Sequence, residues 1–540
     1  MCDVTVDNFE EALARLRTIV PQSDFVSIDL EFTGLDQDVY NDASASSEGA
    51  PAANAGDAAA GGGAAGSGSK WFGGGPSFPG APFDMRKEAQ AKYSKMCETT
   101  KFLVVQVGVC PFVYNPQKKV FVASPFNFYV FPCEFRGIDR RFMCQTRCMQ
   151  FLSNSSLDFN KLFKSGVPFL SHQEEELIRG SGGKDAVFIE GTRAALVDFI
   201  CDSSQASLVL PPADGFHRML IYRELTDIFG DVLKHERASM NGEMCVKVHR
   251  TERTASLGNT REAIHAAVVE RARIVNEKQI NTAIGFRHVM DLLVAMHKPI
   301  IGHNMLLDMM QLEAHFCRDL PADLTAFKAS LHQRFPCLID TKHMLAAAPP
   351  SLAKYFSAGS RLDMVYRTVC SDPFKKPNVQ LEQGFERYRG QRLHEAGYDA
   401  YMTGVAYMRI AHHLVMTAPS LSTAASPRLG QTGLTPRLRE MGGVHGHGHP
   451  ASHRPSSVML ETLIRNGYCN KLHVVGCSKV LYFDFDGGFE RDFSPLSDSA
   501  DCALSSPKRM RPISQDLDTS IEHEEATRRA RGMAGVGGVG

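Results

Sequence analysis

The stretch Phe25-Val26-Ser27-Ile28-Asp29-Leu30-Glu31-Phe32-Thr33-Gly34-Leu35 decides the fold. Apolar and β-branched residues run up to Ile28, the pattern of a strand that will be buried. Two carboxylates follow at i and i+2, which puts both on one face of a strand. Side by side on a buried face, two acids repel each other and lose solvation. A divalent cation removes both penalties, and carboxylate oxygens are the ligands that Mg²⁺ and Mn²⁺ prefer. The pair alone also fits an edge strand with two solvated acids, so the rest of the chain has to discriminate.

The chain has 540 residues, more than one domain usually holds. Hydrophobic residues make up 43% and charged residues 22%, enough to build packed cores. A formal net charge of −1 argues against a wholly basic nucleic-acid coat, though not against a local basic groove. The 14 cysteines form no Cys-x-x-Cys pair and no zinc-finger spacing, with Cys144 and Cys148 the nearest approach. A reducing compartment is therefore expected. Residues 1–20 are acidic and amphipathic, unlike a signal peptide. No apolar run reaches the ~18 residues a membrane span needs. The expectation is a protein of the nucleus, the cytoplasm or both, neither secreted nor membrane-bound.

In chain order, residues 7–20 read as a helix, with Asp7 and Glu10 at capping-box spacing. Residues 41–83 are rich in Ala, Gly, Ser and Pro and carry the single Trp, Trp71. They read as a disordered loop inserted in the first half of a domain spanning 1–180. Residues 102–109 and 119–131 read as further strands of the same sheet, and helical patterns run over 141–176. A small α+β unit follows over 185–250: a helix near 192–203, an extended run at 208–212, a helix at 217–229 and a strand at 244–248. Residues 261–278 read as a charged, solvated connecting helix. The first domain resumes over 260–418, with strands at 298–302 and 337–340, Asn304 as the cap of a helix that carries Asp308, and a long helix over 394–414. Residues 419–455 form a low-complexity linker, 456–490 a short ordered segment with a strand at 480–483, and 491–540 a disordered tail. His445, His447, His449 and His453 suit a polar tract, and Lys508-Arg509-Met510-Arg511-Pro512 suits either a nuclear-import signal or a solvated tail.

Four acids and a histidine stand out: Asp29, Glu31, Asp308, His394 and Asp399. Each alone has a structural explanation, Asp308 as an exposed helix acid and His394 as a hydrogen-bonded structural histidine. Together, each beside an apolar strand or helix, they suit two-metal phosphoryl chemistry, in which two cations ~3.5–4 Å apart clamp the attacking and leaving oxygens. A histidine, with an ordinary pKa near ~6.5, can take the proton from an attacking water at neutral pH.

Three segments carry a family resemblance: Ser27-Ile28-Asp29-Leu30-Glu31-Phe32-Thr33-Gly34, Gly302-His303-Asn304-Met305-Leu306-Leu307-Asp308, and Leu393-His394-Glu395-Ala396-Gly397-Tyr398-Asp399-Ala400-Tyr401. They resemble the exonuclease motifs of DEDD-type 3′–5′ nucleases with a histidine base, in the CAF/POP deadenylase superfamily, and more closely the poly(A)-specific ribonucleases. Phe126-Asn127-Phe128-Tyr129-Val130-Phe131-Pro132, Leu157-Asp158-Phe159-Asn160-Lys161, Gln173-Glu174-Glu175-Glu176, Leu320-Pro321-Ala322-Asp323-Leu324 and Asp340-Thr341-Lys342 support it. The resemblance covers residues 24–418 apart from the Gly/Ala loop. It implies a ribonuclease H-like α/β fold, a mixed sheet flanked by helices. It also implies two Mg²⁺ ions (Mn²⁺ as substitute), release of 5′-AMP from single-stranded RNA with a 3′ poly(A) end, and a homodimer. On it, Asp29, Glu31, Asp308 and Asp399 bind the metals and His394 is the general base. Phe32 and Leu35 would pack on adenine, and Asn304 and Lys342 would contact the nucleotide; ordinary core packing is the other account of Phe32 and Leu35. The unit at 185–250 resembles a small domain that binds single-stranded nucleic acid and is named for an Arg-x-x-x-His pair. Here Arg218 is followed by Tyr222, leaving Phe216, Arg218 and Tyr222 as stacking and phosphate contacts or the unit as a spacer or dimer contact. No aromatic RNA-recognition signature follows the nuclease region, so cap binding is not expected. The alternatives are a nuclease trimming the 3′ ends of small non-coding RNAs and a non-catalytic RNA-binding scaffold.

Overall fold

The computed structural model describes residues 2–35, 85–155, 157–180, 186–254, 260–356, 360–417, 454–474 and 482–485. The Gly/Ala-rich segment with Trp71, the histidine tract at 445–453 and the basic run at 508–512 lie outside the described residues. No helix among the described residues is long and apolar enough to cross a membrane.

The main sheet contains β1 (Asp3–Val4), β2 (Phe25–Phe32), β3 (Val104–Asn115), β4 (Val120–Ala123), β5 (Phe126–Tyr129), β9 (Ile300–Gly302), β10 (Leu338–Asp340) and β11 (Val379–Leu381). Its order is β1-β5-β3-β2-β9-β10, with β4 on the far end of β3 and β11 on β4. β2 runs antiparallel to β3, while β9 is parallel to β2 and β10 to β9. This is the mixed sheet expected of a ribonuclease H-like fold. β2 is buried on both faces through Ile28 because helices cover the sheet on both sides. β1 and β11 escape sequence detection. They are two and three residues long, and are fixed by distant pairings such as Asp3↔Asn127 and Val379↔Phe121.

Helix α1 (Phe9–Gln22) buries Phe9, Ala12, Leu13, Leu16 and Val20. The capping box does not form. Asn8 takes the N-cap place without a capping bond, its side chain instead engaging Thr5 N and Asp3 O at 2.9 and 3.0 Å. Helix α2 (Met85–Cys97) follows, and residues 141–176 break into α3 (Thr146–Asn154), a helix at Phe159–Ser165 capped by Asp158, and one beginning at His172. Asn304 does not cap α4 (Leu306–Leu312). It adopts φ 62°, and Met305 occupies the N-cap place.

The expected helix at 394–414 is α5 (Ala396–Thr417), and His394 stands before it at φ 64°. α5 presses unusually close to the sheet. A Cβ on Gly108 of β3 would fall 1.9 Å from the Ala396 carbonyl, and one on Gly404 would fall 2.2 Å from the Phe112 ring. Between them Ser27 Oγ donates to the Ala400 carbonyl at 2.7 Å.

The small unit comprises helix Ala186–Cys201, β6 (Ser207–Val209), helix Gly215–Asp227, β7 (Leu233–Met240) and β8 (Glu243–Arg250), in sheet order β6-β8-β7. β7 goes unread in the sequence because Lys-His-Glu-Arg leaves it no apolar face; six of its seven residues after Leu233 are exposed. The unit has its own core around Leu196, Phe199, Leu225, Phe229 and Val246. Helix Arg261–Ile284 is more than a solvated connector. Ile264, Val268 and Ala272 enter that core, and Ile280, Ala283 and Ile284 pack with Leu170 and Ile178. At the C-terminal end, α6 (Pro455–Arg465), β12 (Lys471–His473) and β13 (Tyr482–Asp484) place Met459, Leu463, Tyr468 and Leu472 in the main core.

Substituting Gly108→Ala or Gly404→Ala is expected to destabilise the protein by roughly 3 kcal/mol or more, because the added methyl meets backbone or a buried ring with no free volume. Gly191→Ala, on a helix with nothing within 4 Å of the new carbon, should instead be neutral or stabilise by up to ~1 kcal/mol. Equilibrium unfolding in urea checks the contrast.

Candidate active site

The close seating of α5 sets the site. Gly108 pairs with Asp29 in the β2–β3 register, so the first turn of α5 lies over the strand residue opposite the first acid. The N-terminal N–H groups of α5 would be orphans there. Two buried amides receive them: Ala396 N donates to Gln106 Oε1 at 3.4 Å, and Gly397 N to Asn127 Oδ1 at 3.1 Å. Asp399, one turn in, is almost fully buried. One of its oxygens, Oδ2, accepts from His394 N at 3.2 Å, and the other, Oδ1, is buried with no hydrogen-bond partner.

A ligand atom from each of Glu31, His394 and Asp399 lies within 4.8 Å of the other two. Asp29 and Asp308 join this set through their fields. Burial pushes the Asp29 carboxyl far above its usual range, and Asp399, Asp308 and Glu31 push it further. Burial raises Glu31 likewise, reinforced by Asp399 and Asp308. Asp308 is pushed up to about 7, mainly by burial and partly by Asp340, against a lowering contribution from the Leu30 amide. Asp399 is pushed up to about 7 by burial, with the His394 N–H opposing. Thus Glu31, His394 and Asp399 meet, and Asp29 and Asp308 act on the same carboxyls through their charge.

The donor set suits hard divalent cations: carboxylates that repel one another when charged, one imidazole, and one buried carboxylate oxygen left without a donor. Asp29, Glu31, Asp308 and Asp399 are the residues that could hold them. His394 keeps a lowered pKa, through burial first and the Arg361 charge second. Its ring meets Phe151 edge-on, centroids 4.6 Å apart. Phe151, Gln106 and Asn127 carry no motif that marks them as site residues in the sequence. The available signal was the buried polar residue in each of the apolar runs Val104–Val107 and Phe126–Phe128.

Residues 4–50 and 79–407 match the CAF1 family ribonuclease model. The chain belongs to the CAF1 ribonuclease family. It is 28% identical over 461 residues to the poly(A)-specific ribonuclease PARN of Danio rerio, covering 79% of this chain and 62% of that protein. For PARN of Homo sapiens the identity is 27% over 463 residues, covering 79% and 65%. The chain thus spans less than two thirds of the length of these relatives. The pre-piRNA 3′-exonuclease trimmer of Bombyx mori is 25% identical over 466 residues, covering 82% of this chain and 77% of that one. A solved structure of S. pombe Pop2p in its Mg²⁺- and Mn²⁺-bound form aligns at TM-score 0.33 and 12% identity, over 75% of this chain and 89% of that one.

The nucleotide-contact candidates of this family member differ in their surroundings. Phe32 is half-buried and packs against the main core, whereas Leu35 is 36% exposed. The segment carrying Leu35 is clamped: Thr33 Oγ1 accepts from Leu103 N and donates to the Met143 carbonyl, and Leu35 N donates to Gln145 Oε1. Asn304 N and Lys342 N both donate to Asp340 Oδ1 at 2.8 Å, and Lys342 Nζ donates to Ser360 O at 2.8 Å. In the small unit Phe216 is exposed, Arg218 donates back to the Ala213 carbonyl, and Tyr222 lies against His235. None of these three is part of the acidic cluster.

The acids carry a pH signature. Asp308 and Asp399 titrate near 7 when folded and near ~3.9 when unfolded, so the folded state holds extra protons between these values. Without divalent cation their contribution to stability is greatest below pH ~4, falls as the pH rises to ~7, and is level above. The variant Asp29→Asn should therefore melt several degrees above the wild type at pH 8 in chelator, with the gap closing towards pH 4.5. Mg²⁺ should raise the wild-type midpoint at pH 8 and the variant's much less; scanning calorimetry measures both.

Proposed function

We propose that this chain is a divalent-cation-dependent 3′–5′ exoribonuclease that shortens poly(A) and releases 5′-AMP, working as a homodimer on single-stranded RNA. The convergence of Glu31, His394 and Asp399, with Asp29 and Asp308 inside the same field, carries the proposal. A non-catalytic scaffold has no need to gather four mutually repelling acids, which cost stability unless used.

In this reading Asp29, Glu31, Asp308 and Asp399 hold two Mg²⁺ or Mn²⁺ ions. Bound there, the ions would supply charge neutralisation and Lewis acidity for phosphodiester hydrolysis. His394 remains neutral near pH 7 because burial lowers its pKa. It accepts the proton as the water oxygen bonds to phosphorus and the bond to the upstream 3′ oxygen breaks. The shortened RNA leaves with a 3′ hydroxyl, and the released nucleotide keeps its 5′ phosphate. The His394 N–H holds Asp399 Oδ2, which leaves Oδ1 without a protein donor. Phe151 packs edge-on to the imidazole and limits its rotation. Leu35 and Phe32 offer apolar surface to the terminal adenine, and Asn304 and Lys342 flank its nucleotide.

Trimming of small-RNA 3′ ends is the second reading. It is supported by the 25% identity over 466 residues to the pre-piRNA 3′-exonuclease trimmer of Bombyx mori.

Incubation of 5′-labelled oligo(A) and oligo(U) with Mg²⁺ should yield a ladder shortening from the 3′ end, faster for oligo(A). Asp29→Ala should abolish it, and His394→Gln should lower kcat by about 10²–10⁴-fold. Equal rates on A-tailed and untailed RNAs in competition would favour the trimmer; inert wild-type lanes would leave the scaffold.

A further inference from the structure

Asp340 ends β10 and is fully buried. Its carboxylate is held by three backbone N–H groups. Asn304 and Lys342 bind Oδ1, each at 2.8 Å, and His473 binds Oδ2 at 2.9 Å. The first two donors belong to nucleotide-contact candidates. The third arrives from the C-terminal module, 133 residues further along the chain. Thr341 extends the tie. Its hydroxyl donates to the Gly302 carbonyl at 3.0 Å and meets His303 Nδ1 at 2.9 Å. The turn 302–304, which launches α4 and with it Asp308, therefore hangs on residues 340–341. Asn304 sits there at φ 62°, a conformation that needs outside support in a residue with a side chain.

The module is seated to make the His473 bond with little freedom. Asn470, fully buried at φ 58°, covers the edge of β10 as a strand would. Its N–H donates to Leu338 O, its Oδ1 accepts from Leu338 N, and its Nδ2 donates to Pro336 O. Tyr468 OH donates to Ala347 O at 3.2 Å, and Phe485 N donates to Asn470 O at 2.8 Å.

We infer that the C-terminal module is a positioning element of the active site: the His473 amide orients the Asp340 carboxylate, which in turn holds the Asn304 turn and Lys342 against the bound nucleotide. The inference rests on the nuclease reading and deepens it. A buried carboxylate that loses one charge-assisted bond turns towards other donors or water. The Oδ1 bonds loosen with it, and the nucleotide side of the site loses its shape.

The test uses the full chain and three variants. His473→Pro removes the amide donor, His473→Ala removes the ring but keeps the donor, and Asp340→Asn removes one acceptor. His473→Pro and Asp340→Asn should each raise KM for 5′-labelled oligo(A) roughly tenfold, with a smaller change in kcat. The double variant should be no worse than the worse single one, and His473→Ala, which keeps the amide but loses the imidazole beside Asp340, should fall between wild type and His473→Pro. Anisotropy of labelled oligo(A) should weaken in parallel. A folded His473→Pro protein with a lower melting point but wild-type KM and affinity would overturn the inference, as would His473→Ala matching His473→Pro. A wild-type chain that binds oligo(A) without shortening it defeats the nuclease reading alone, and the anisotropy comparison still decides this one. A wild-type chain that binds no oligo(A) defeats both.

Discussion

The distance between α5 and the sheet governs the site. Gly108 and Gly404 let the helix backbone approach where any side chain would collide, and the Ser27 hydroxyl ties the two layers between them. Because Gly108 is the cross-strand partner of Asp29, the tightest contact falls beside the first acid. Asp399 then arrives at the carboxylates of β2 from the opposite layer. A helix start this close to a sheet has no room for water on its first N–H groups, so Gln106 and Asn127 must receive them from within the sheet.

That packing creates an electrostatic conflict which the rest of the fold has to bear. Four carboxyl groups are driven above their usual range by burial and by one another. Two features keep the acids aimed rather than splayed. The Leu30 amide favours the charged form of Asp308, and the His394 amide does so for Asp399. His394 makes its bond from a left-handed conformation, at a cost of ~1 kcal/mol or more. The same conformation ends the loop before α5 and lays the imidazole beside Asp399, so strain, bond and ring placement are one feature.

What was legible in the sequence follows from which interactions are local. The Asp29-x-Glu31 strand and the helix carrying Asp399 could be read because a strand or helix period carries each, and the five candidate residues stand out by their order beside such elements. Phe151, Gln106 and Asn127 do not, since their roles depend on what packs above them. Asp340 reads in the sequence only as part of a motif, because its meaning lies in a partner 133 residues away. Asn304 and His394 read in the sequence as helix starts, where a polar residue is a natural cap. Both instead adopt positive φ, which no spacing reveals. The short edge strands β1 and β11 and the charged β7 failed for a related reason, since pairing rather than pattern makes them strands.

The C-terminal module shows the same logic from the other side. The family match ends at residue 407, inside α5, yet the packed core continues through Leu414 and takes in residues beyond 454. Physical need explains the extension. β10 ends the path of the sheet, and an open edge beside a buried acidic site would expose Leu338 and the ligand-bearing turn to water or to another strand. Asn470 closes that edge with a side-chain amide that imitates a peptide unit, which a one-residue contact can do and a long strand need not. Once the edge is closed there, the next residues of the module pass the end of β10, where Asp340 turns its carboxylate towards the site. Edge protection and site geometry therefore share one attachment point, and the module cannot serve the first without touching the second.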